Sequence, residues 1–195
     1  MNSDTKNIKD KGVPDMEIGA HDMEIESKDL SFLPEVAGQI LQVVLSRSNA
    51  KGALIICLSG DLGAGKTTFV QTCASLLGIK ERLTSPTFVI MKKYKLDTSL
   101  VFGASLQTAG EKQNFAHGFK NMIHMDAYRL GGGRDLESLK FMDLVKDPTN
   151  IIFIEWPERI SDALPSFKSE SIGASICYIN IDHKNDGVRI FSISR

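Results

Sequence analysis

Hydrophobic and polar positions change period twice in the first part of the chain. Apolar residues recur at helical spacing over residues 33–45, with Pro34 in the first turn, where its missing N–H costs nothing. An apolar run at residues 53–58 then predicts a strand. After a glycine-rich turn, residues 66–77 predict a second helix that ends at Gly78, a common residue at helix C-termini. The pattern therefore predicts helix, strand, loop and helix in that order.

The remainder of the chain predicts strands interleaved with helical segments. The predicted strands cover residues 88–94, 122–125, 151–154, 174–181 and 188–193, a short helix lies around residues 136–144, and the last two strands flank the turn Asn185-Asp186-Gly187. Strands that alternate with helices are typical of the α/β class. The last two strands predict an antiparallel hairpin at the C-terminal end.

Two polar segments interrupt this pattern. Residues 1–28 are charged and lack aromatic side chains, so we expect a disordered tail that cannot bury enough surface to order itself. Residues 96–120 are polar and rich in Gly, Gln, Asn and Thr, and we expect them to form a surface insertion. Residues 29–195 are expected to form a single domain, because 195 residues with 42% hydrophobic content can bury one sizeable core.

The loop at residues 60–67 carries the first chemical signal. Its sequence GDLGAGKT fits the pattern G-x-x-x-x-G-K-T/S and lies between a predicted strand and a predicted helix, as this motif requires. Glycines permit close approach of the backbone, so that consecutive N–H groups and the helix N-terminus can surround a phosphate chain. Lys66 would reach the β- and γ-phosphates, and the Thr67 hydroxyl would take one position on an octahedral Mg²⁺. The alternative is a glycine-rich turn that only links a strand to a helix. The candidate nucleotide-binding residues here are Gly60, Asp61, Leu62, Gly63, Ala64, Gly65, Lys66, Thr67 and Thr68.

Two predicted strands end in a carboxylate, which a phosphate loop needs to hold a metal and to orient a hydrolytic water. Glu155 follows four large apolar residues, and Asp126 ends the preceding strand less cleanly. Lys66, Asp126 and Glu155 are therefore the candidate catalytic residues, and Thr67, Asp126 and Glu155 are the candidate metal ligands. Either carboxylate could instead cap a helix or form an ion pair.

Three other positions near these motifs have two interpretations each. The turn at residues 84–87 lies where GTPases and ATPases place a segment that senses the γ-phosphate, so Ser85 and Thr87 are candidate nucleotide contacts, although an ordinary turn has the same composition. Trp156, another candidate contact, could be core packing or a lid over the nucleotide. His124 is a lone histidine on a strand, and such residues are more often structural than catalytic.

Composition excludes several classes of protein. With 23 basic and 24 acidic residues, bulk charge favours neither a nucleic-acid nor a membrane-surface protein. The three cysteines are odd in number, form no zinc spacing and indicate a reducing cytosol. No run approaches the roughly 18 apolar residues of a membrane helix, so we expect a cytoplasmic protein without membrane contact.

The chain lacks the N-K-x-D motif with which Ras-like GTPases recognise guanine. Its absence favours adenine as the base of a bound nucleotide. A lysine cluster around Tyr94 could touch RNA, but such clusters are usually only solvated.

Four blocks of sequence, taken together, resemble the TsaE family, formerly YjeE, of small ATPases that take part in making threonylcarbamoyladenosine in tRNA. The blocks are GDLGAGKTTF at residues 60–69, TSPTF at 84–88, HMDAYRL at 124–130 and IEWPER at 154–159. The loop alone fits many families, whereas this order and spacing is specific. The resemblance covers residues 30–193.

The resemblance implies a fold, a cofactor set and roles for individual residues. The implied fold is a P-loop three-layer α/β sandwich with a mostly parallel central sheet. Residues 63–68 would hold the phosphates of ATP, Thr67 and Glu155 would approach Mg²⁺, and Asp126 would assist the metal or the attacking water. Ser85 and Thr87 would belong to a loop that responds to the γ-phosphate. The implied partners are TsaD and TsaB, with tRNA reached through that complex and with weak ATPase activity in their absence.

Three departures from the family pattern and two rival functions stay open. The segment 96–120 is longer than the usual connection, the usual Thr at the start of the first helix is hard to find where Phe32-Leu33-Pro34-Glu35 stands, and the tail has no counterpart. The chain could instead be a small-molecule kinase with residues 96–120 as an acceptor lid. It could also be a nucleotide-gated binding module without meaningful turnover.

Overall fold

The structure, a computed structural model, describes residues 23–48, 51–96, 118–184 and 187–195. The strands are β1 (Met23–Ser27), β2 (Leu54–Ser59), β3 (Met91–Lys95), β4 (Asn121–Asp126), β5 (Asn150–Glu155), β6 (Ser175–His183) and β7 (Arg189–Ser194). The helices are α1 (Leu33–Ser46), α2 (Lys66–Leu76), α3 (Asp135–Ser138), α4 (Phe141–Val145) and α5 (Leu164–Phe167), with 3₁₀ turns at Leu30–Phe32, Ala127–Arg129 and Pro157–Ile160. The predictions for residues 1–22, for most of the insertion at 96–120, and for Asn185 and Asp186 lie outside the described residues.

The described strands form one sheet in the order β1-β7-β6-β2-β5-β4-β3. The four central strands β6, β2, β5 and β4 are parallel, whereas β1 and β7 at one edge and β3 at the other pair antiparallel. The predicted α/β class, mostly parallel sheet and C-terminal hairpin are confirmed. The first two helices and the strands predicted around β2, β4, β5, β6 and β7 are confirmed to within two residues at each end.

Helices cover both faces of the sheet, so the fold has three layers. Phe69 of α2 and Ile56 of β2 belong to the buried cluster beneath α1 and α2. Ile55, the next residue of β2, belongs to a second cluster on the opposite face with Phe141 of α4 and Phe167 of α5. Because both faces of β2 are buried, its sequence is a continuous apolar run without alternation. Within the described residues, no helix is long and apolar enough to span a membrane.

The single helix predicted around residues 136–144 is wrong, because the chain forms α3 and α4 with Lys140 between them in the left-handed region at φ 51°. Leu136 and Phe141 are both buried, with 3% and 0% of their surface exposed. In one continuous helix, residues five positions apart point about 140° away from each other. The break at Lys140 turns both side chains toward the sheet.

The strand predicted at residues 88–94 begins only at Met91. Phe88 is 84% exposed, Val89 N donates to Pro86 O at 2.9 Å, and Ile90 is left-handed at φ 65°. The apolar residues before β3 therefore belong to a turn, because Pro86 opens a reversal of the chain. Beyond β3, the backbone N–H of Leu96 donates to Lys120 O at 2.9 Å.

The predicted tail at residues 1–28 is wrong for residues 23–27, which form β1 on the outer edge of β7. Ile25 pairs with Phe191 in register and packs against the core beneath α1 and α2. The Ser192 hydroxyl donates to Glu24 Oε1 at 3.3 Å. An edge strand is held mainly by backbone hydrogen bonds to its one neighbour. Because Ile25 is the one apolar residue of β1 that packs against the core, the sequence of β1 has almost no hydrophobic signal that would predict a strand.

Removal of β1 should destabilise the protein. A variant that starts at residue 29 loses the backbone bonds to β7 and the burial of Ile25, and leaves an open sheet edge. We expect its free energy of unfolding to be about 2 kcal/mol lower than that of a control variant that starts at residue 23, as measured by chemical denaturation. Equal stability of the two variants would show that β1 has no structural role.

Candidate functional site

The turn between β2 and α2 is built on glycines. Gly60, Gly63 and Gly65 all have positive φ, at 133°, 82° and 108°. An added Cβ on Gly60 would lie 2.4 Å from the carbonyl oxygen of Ile181, so only glycine fits where the turn leaves the sheet against β6. Farther along the turn, Arg189 Nε donates to Ala64 O at 3.2 Å. The shape of the loop is thus set by contacts with β6 and β7.

Lys66 is the first residue of α2 and is held inside its own loop. Its Nζ donates to Gly60 O at 2.7 Å and to Asp61 O at 2.8 Å. The same ammonium lies 3.8 Å from the ring centroid of Trp156. An ammonium has three N–H donors, so the loop carbonyls leave one for an anion. Gly60 and Asp61, both candidate nucleotide contacts, therefore act on Lys66 through their backbone oxygens.

Two opposing effects act on the charge of the Lys66 ammonium. Burial removes water from the ammonium and lowers the pKa of Lys66, while the negative charges of Glu155, Glu158 and Asp126 act in the opposite direction. Only 5% of the residue is exposed. A buried ammonium attracts an anion more strongly than an exposed one, because its surroundings screen the charge less than water does, whereas the nearby carboxylates repel a polyanion unless a cation is bound with it.

The two candidate carboxylates lie side by side at the carboxyl edge of the sheet. Asp126 and Glu155 are direct partners in the register of β4 and β5, with 3% and 2% of their surface exposed. The Thr67 hydroxyl donates to Glu155 Oε2 at 2.8 Å. The other oxygen, Oε1, lies 2.7 Å from Nε2 of His124, which is completely buried. Glu155 is thus engaged on both oxygens.

Asp126 is joined to the hydroxyl turn at residues 84–87. The Thr87 hydroxyl donates to Asp126 Oδ2, and Ser85 Oγ lies 2.6 Å from Thr87 Oγ1. The other oxygen, Oδ1, accepts the backbone N–H of Tyr128 at 3.0 Å. Asp126 therefore links β4 to the turn.

These groups line a pocket of about 440 Å³. Its lining comprises Leu62, Gly63, Gly65, Lys66, Thr67, Thr68, Ser85, Thr87, Asp126, Tyr128, Glu155 and Trp156. Gly60, Asp61 and Ala64 are the candidate contacts outside it, and Ala64 is buried. Tyr128 was missed by the sequence reasoning, although it lies in the block HMDAYRL two residues after a strand-end carboxylate. Its ring centroid is 5.2 Å from that of Trp156.

The donor set at this edge fits a hard divalent cation. Thr67, Glu155 and Asp126 offer oxygen atoms, which are the ligands that Mg²⁺ prefers, and Mg²⁺ normally adds substrate phosphates and water to one or two carboxylates. Among the residues that the structure describes, no group of three or more His, Cys, Asp or Glu side chains could hold a metal. A cation here would therefore depend on the phosphates of a ligand.

The aromatic ring within the lysine cluster on β3 is not exposed, so a nucleic-acid base could not stack on it. Tyr94 is buried, with 6% of its surface exposed, so its ring belongs to the core and is not available to a base. Lys92 Nζ donates to the Thr84 hydroxyl and so supports the hydroxyl turn. The buried ring of Tyr94 therefore gives no support to an RNA contact at this cluster.

Comparison with known proteins connects this geometry to one family. The sequence model of the family described as "Threonylcarbamoyl adenosine biosynthesis protein TsaE" matches residues 33–190. The protein of Treponema pallidum named tRNA threonylcarbamoyladenosine biosynthesis protein TsaE is 33% identical to the chain over 124 residues, which cover 64% of this chain and 74% of that protein. The protein of the same name from Haemophilus influenzae is 26% identical over 158 residues, which cover 81% of each.

A solved structure has the same fold. The crystal structure of Bacillus subtilis YdiB superimposes with a TM-score of 0.50 over 88% of this chain and 83% of that chain, at 22% sequence identity. This similarity concerns the fold alone, whereas the family match includes the loop, both carboxylates and the hydroxyl turn. The chain belongs to the TsaE family.

Proposed function

We propose that this chain is the ATP-hydrolysing component of the machinery that makes threonylcarbamoyladenosine in tRNA. It binds ATP with Mg²⁺ in the pocket beside Lys66, and it acts with a TsaD–TsaB pair. Its contact with tRNA is indirect, through that complex. Family membership supports the pathway, since relatives of this chain carry that biosynthetic name.

The observation that carries this proposal is the hydrogen bond from Thr67 to Glu155. It brings the hydroxyl at the start of α2 to the carboxylate at the end of β5, inside a pocket that also contains Lys66 and Asp126. A hydroxyl and a carboxylate in this relation are the protein ligands that P-loop NTPases use for Mg²⁺. A turn that only linked β2 to α2 would need neither group.

Lys66 and the loop bind and orient the phosphate chain. The remaining N–H of the Lys66 ammonium reaches the γ-phosphate, while the carbonyls of Gly60 and Asp61 keep its Nζ in place. Backbone N–H groups of residues 63–68 surround the phosphates at the N-terminus of α2. Because these donors are already fixed before the reaction, charge that develops on the transferred phosphoryl group is stabilised without reorganisation of the protein.

The two carboxylates have different roles, one in metal binding and the other in orienting the attacking water. Glu155 accepts the Thr67 hydroxyl, so these two groups would together hold magnesium. Asp126 accepts the Thr87 hydroxyl and lies on the side of the turn at residues 84–87, where it orients the attacking water. Magnesium, when bound, neutralises charge on the phosphate oxygens.

The hydroxyl turn connects the site to partner proteins. The Thr87 hydroxyl donates to Asp126, Ser85 Oγ pairs with Thr87 Oγ1, and the adjacent Phe88 and Val89 are 84% and 57% exposed. A turn held by a few hydroxyl contacts can take a second arrangement when a γ-phosphate competes for them. Hydrolysis would then change the conformation of an exposed surface to which TsaD and TsaB bind.

Phosphate release should depend on partners and on Lys66. We expect weak release from Mg·ATP by the isolated protein and a marked increase when a TsaD–TsaB pair and tRNA are added. Lys66→Ala should lower the stimulated rate roughly a hundredfold, because it removes a fixed donor from the developing charge. The rates are measured as inorganic phosphate released per minute.

Three outcomes would contradict this function. ATP binding with equal and negligible phosphate release, with and without partners, would favour a nucleotide-gated binding module. Labelled γ-phosphate recovered on another metabolite would indicate a small-molecule kinase. A Lys66→Ala variant that retained full stimulated activity would place the chemistry outside this pocket.

Magnesium should raise ATP affinity through Thr67. Trp156, the only tryptophan of the chain, lies against Lys66, so its fluorescence emission should change on ATP binding. We expect Thr67→Val to abolish the gain in affinity that Mg²⁺ provides and to leave the Mg²⁺-free affinity almost unchanged, because only the hydroxyl is lost.

Thr72→Val is the matched control for that measurement. Thr72 lies on the same helix and donates its hydroxyl to Thr68 O at 2.9 Å, but it does not line the pocket. Its Mg²⁺ response should match that of the unmodified protein. An unchanged Mg²⁺ response in Thr67→Val would show that the Thr67 hydroxyl does not contact the metal.

A further inference from the structure

His124 occupies an interior position of β4 beneath the candidate site. Side chains two residues apart on a strand share a face, so His124 points to the same side of the sheet as Asp126. In the register of β4 and β5, His124 lies opposite Phe153, and Glu155 is its diagonal neighbour. No surface of His124 is exposed, so the imidazole lies between the apolar core and the carboxylates.

The hydrogen-bond partners of the imidazole determine which nitrogen carries the proton. Nε2 lies 2.7 Å from Glu155 Oε1, whereas Nδ1 is buried without a hydrogen-bond partner. If the proton were on Nδ1 alone, the Nδ1–H would be buried without an acceptor. Nε2 and Glu155 Oε1 would then both be acceptors at 2.7 Å and would repel each other. A proton on Nε2 leaves only one acceptor unpaired. His124 therefore donates from Nε2 to Glu155.

Glu155 has competing partners for its two oxygens. Oε2 accepts the Thr67 hydroxyl at 2.8 Å, and the positive charge of Lys66 attracts the same carboxylate. A carboxylate free to rotate could move to the ammonium and form an ion pair, which would withdraw it from Thr67. The donor on Oε1 opposes this rotation.

We propose that His124 is a positioning residue of the nucleotide site, whose Nε2–H holds Glu155 Oε1 so that Oε2 stays beside Thr67, where magnesium binds with the nucleotide. This inference rests on the proposed function, because it concerns the Mg²⁺ response of nucleotide binding. A purely structural role explains the site less well. An apolar side chain would fill a fully buried position without leaving a nitrogen unpaired.

The test compares two substitutions of His124 by amide side chains of different length. In His124→Gln the amide nitrogen can take the place of Nε2 and donate to Glu155, whereas in His124→Asn the shorter side chain reaches only the place of Nδ1. Both variants put an amide in the core, so both should lower the melting temperature. Each is titrated with ATP at a series of Mg²⁺ concentrations, and Trp156 emission reports binding.

The expected result separates positioning from packing. His124→Asn should need at least about tenfold more Mg²⁺ for half-maximal ATP binding, in line with other residues that orient metal ligands. His124→Gln should restore the Mg²⁺ response to within a few-fold of the unmodified protein. Affinity for ATP without Mg²⁺ should be similar in all three proteins.

Asn150→Leu controls for general damage to the same strands. Asn150 lies at the opposite end of β5, where it accepts from Asn121 Nδ2 at 2.9 Å and donates to Leu144 O at 2.9 Å. This variant should lower the melting temperature without changing the Mg²⁺ response. An equal shift of the Mg²⁺ response in Asn150→Leu would overturn the positioning role.

The remaining outcomes separate this inference from the proposed function. If the unmodified protein binds Mg·ATP and both His124 variants keep its Mg²⁺ response, or if both lose it equally while still folded, His124 does not act through its Nε2 donor. If the unmodified protein shows no ATP binding that Lys66→Ala abolishes, the proposed function itself fails.

Discussion

The hydrogen bond between Thr67 and Glu155 joins the first turn of α2 to the carboxyl end of β5, and the rest of the candidate site is arranged around it. Thr67 reaches that point only because the glycine turn leaves β2 close to the backbone of β6, with no space for a side chain at Gly60. The same turn binds the Lys66 ammonium through two carbonyl oxygens. The Lys66 ammonium and the Thr67 hydroxyl therefore have partners before any ligand arrives, which limits the cost of burying them.

The apolar core determines where the carboxylates lie. β2, β5 and β4 are parallel and in register, so that Asp126 and Glu155 reach the same edge as the loop. Because side chains alternate between faces, a slip of one residue would turn both carboxylates toward α3, α4 and α5 and away from Thr67. The two buried clusters resist such a slip, since it would exchange the side chains that face α2 with those that face the other layer.

Two strained backbone positions flank this edge. Ile90 and Trp156 both have positive φ, at 65° and 60°, although neither is glycine. Ile90 O accepts the N–H of Asp126 at 2.9 Å, and Trp156, whose N–H donates to Leu58 O at 3.2 Å, directly follows Glu155, so each strained residue is next to a carboxylate of the site. Unfavourable conformations of this kind persist when surrounding contacts determine them, and they are frequent at functional sites.

The sequence by itself determined the α/β class, the central strands, the loop and both carboxylates, because periodicity and contiguous motifs are local properties of the chain. It could not determine β1, the break at Lys140 or the late start of β3, because each depends on a partner elsewhere: the edge of β7, the core that receives Leu136 and Phe141, and the turn at Pro86. His124 illustrates the same limit within the site. On its strand it is one buried histidine among apolar residues, and only the pairing of β4 with β5 brings Nε2 to a carboxylate 31 residues away. Side-chain contacts between neighbouring parallel strands join residues that are far apart in sequence, so only the tertiary structure decided what this histidine touches.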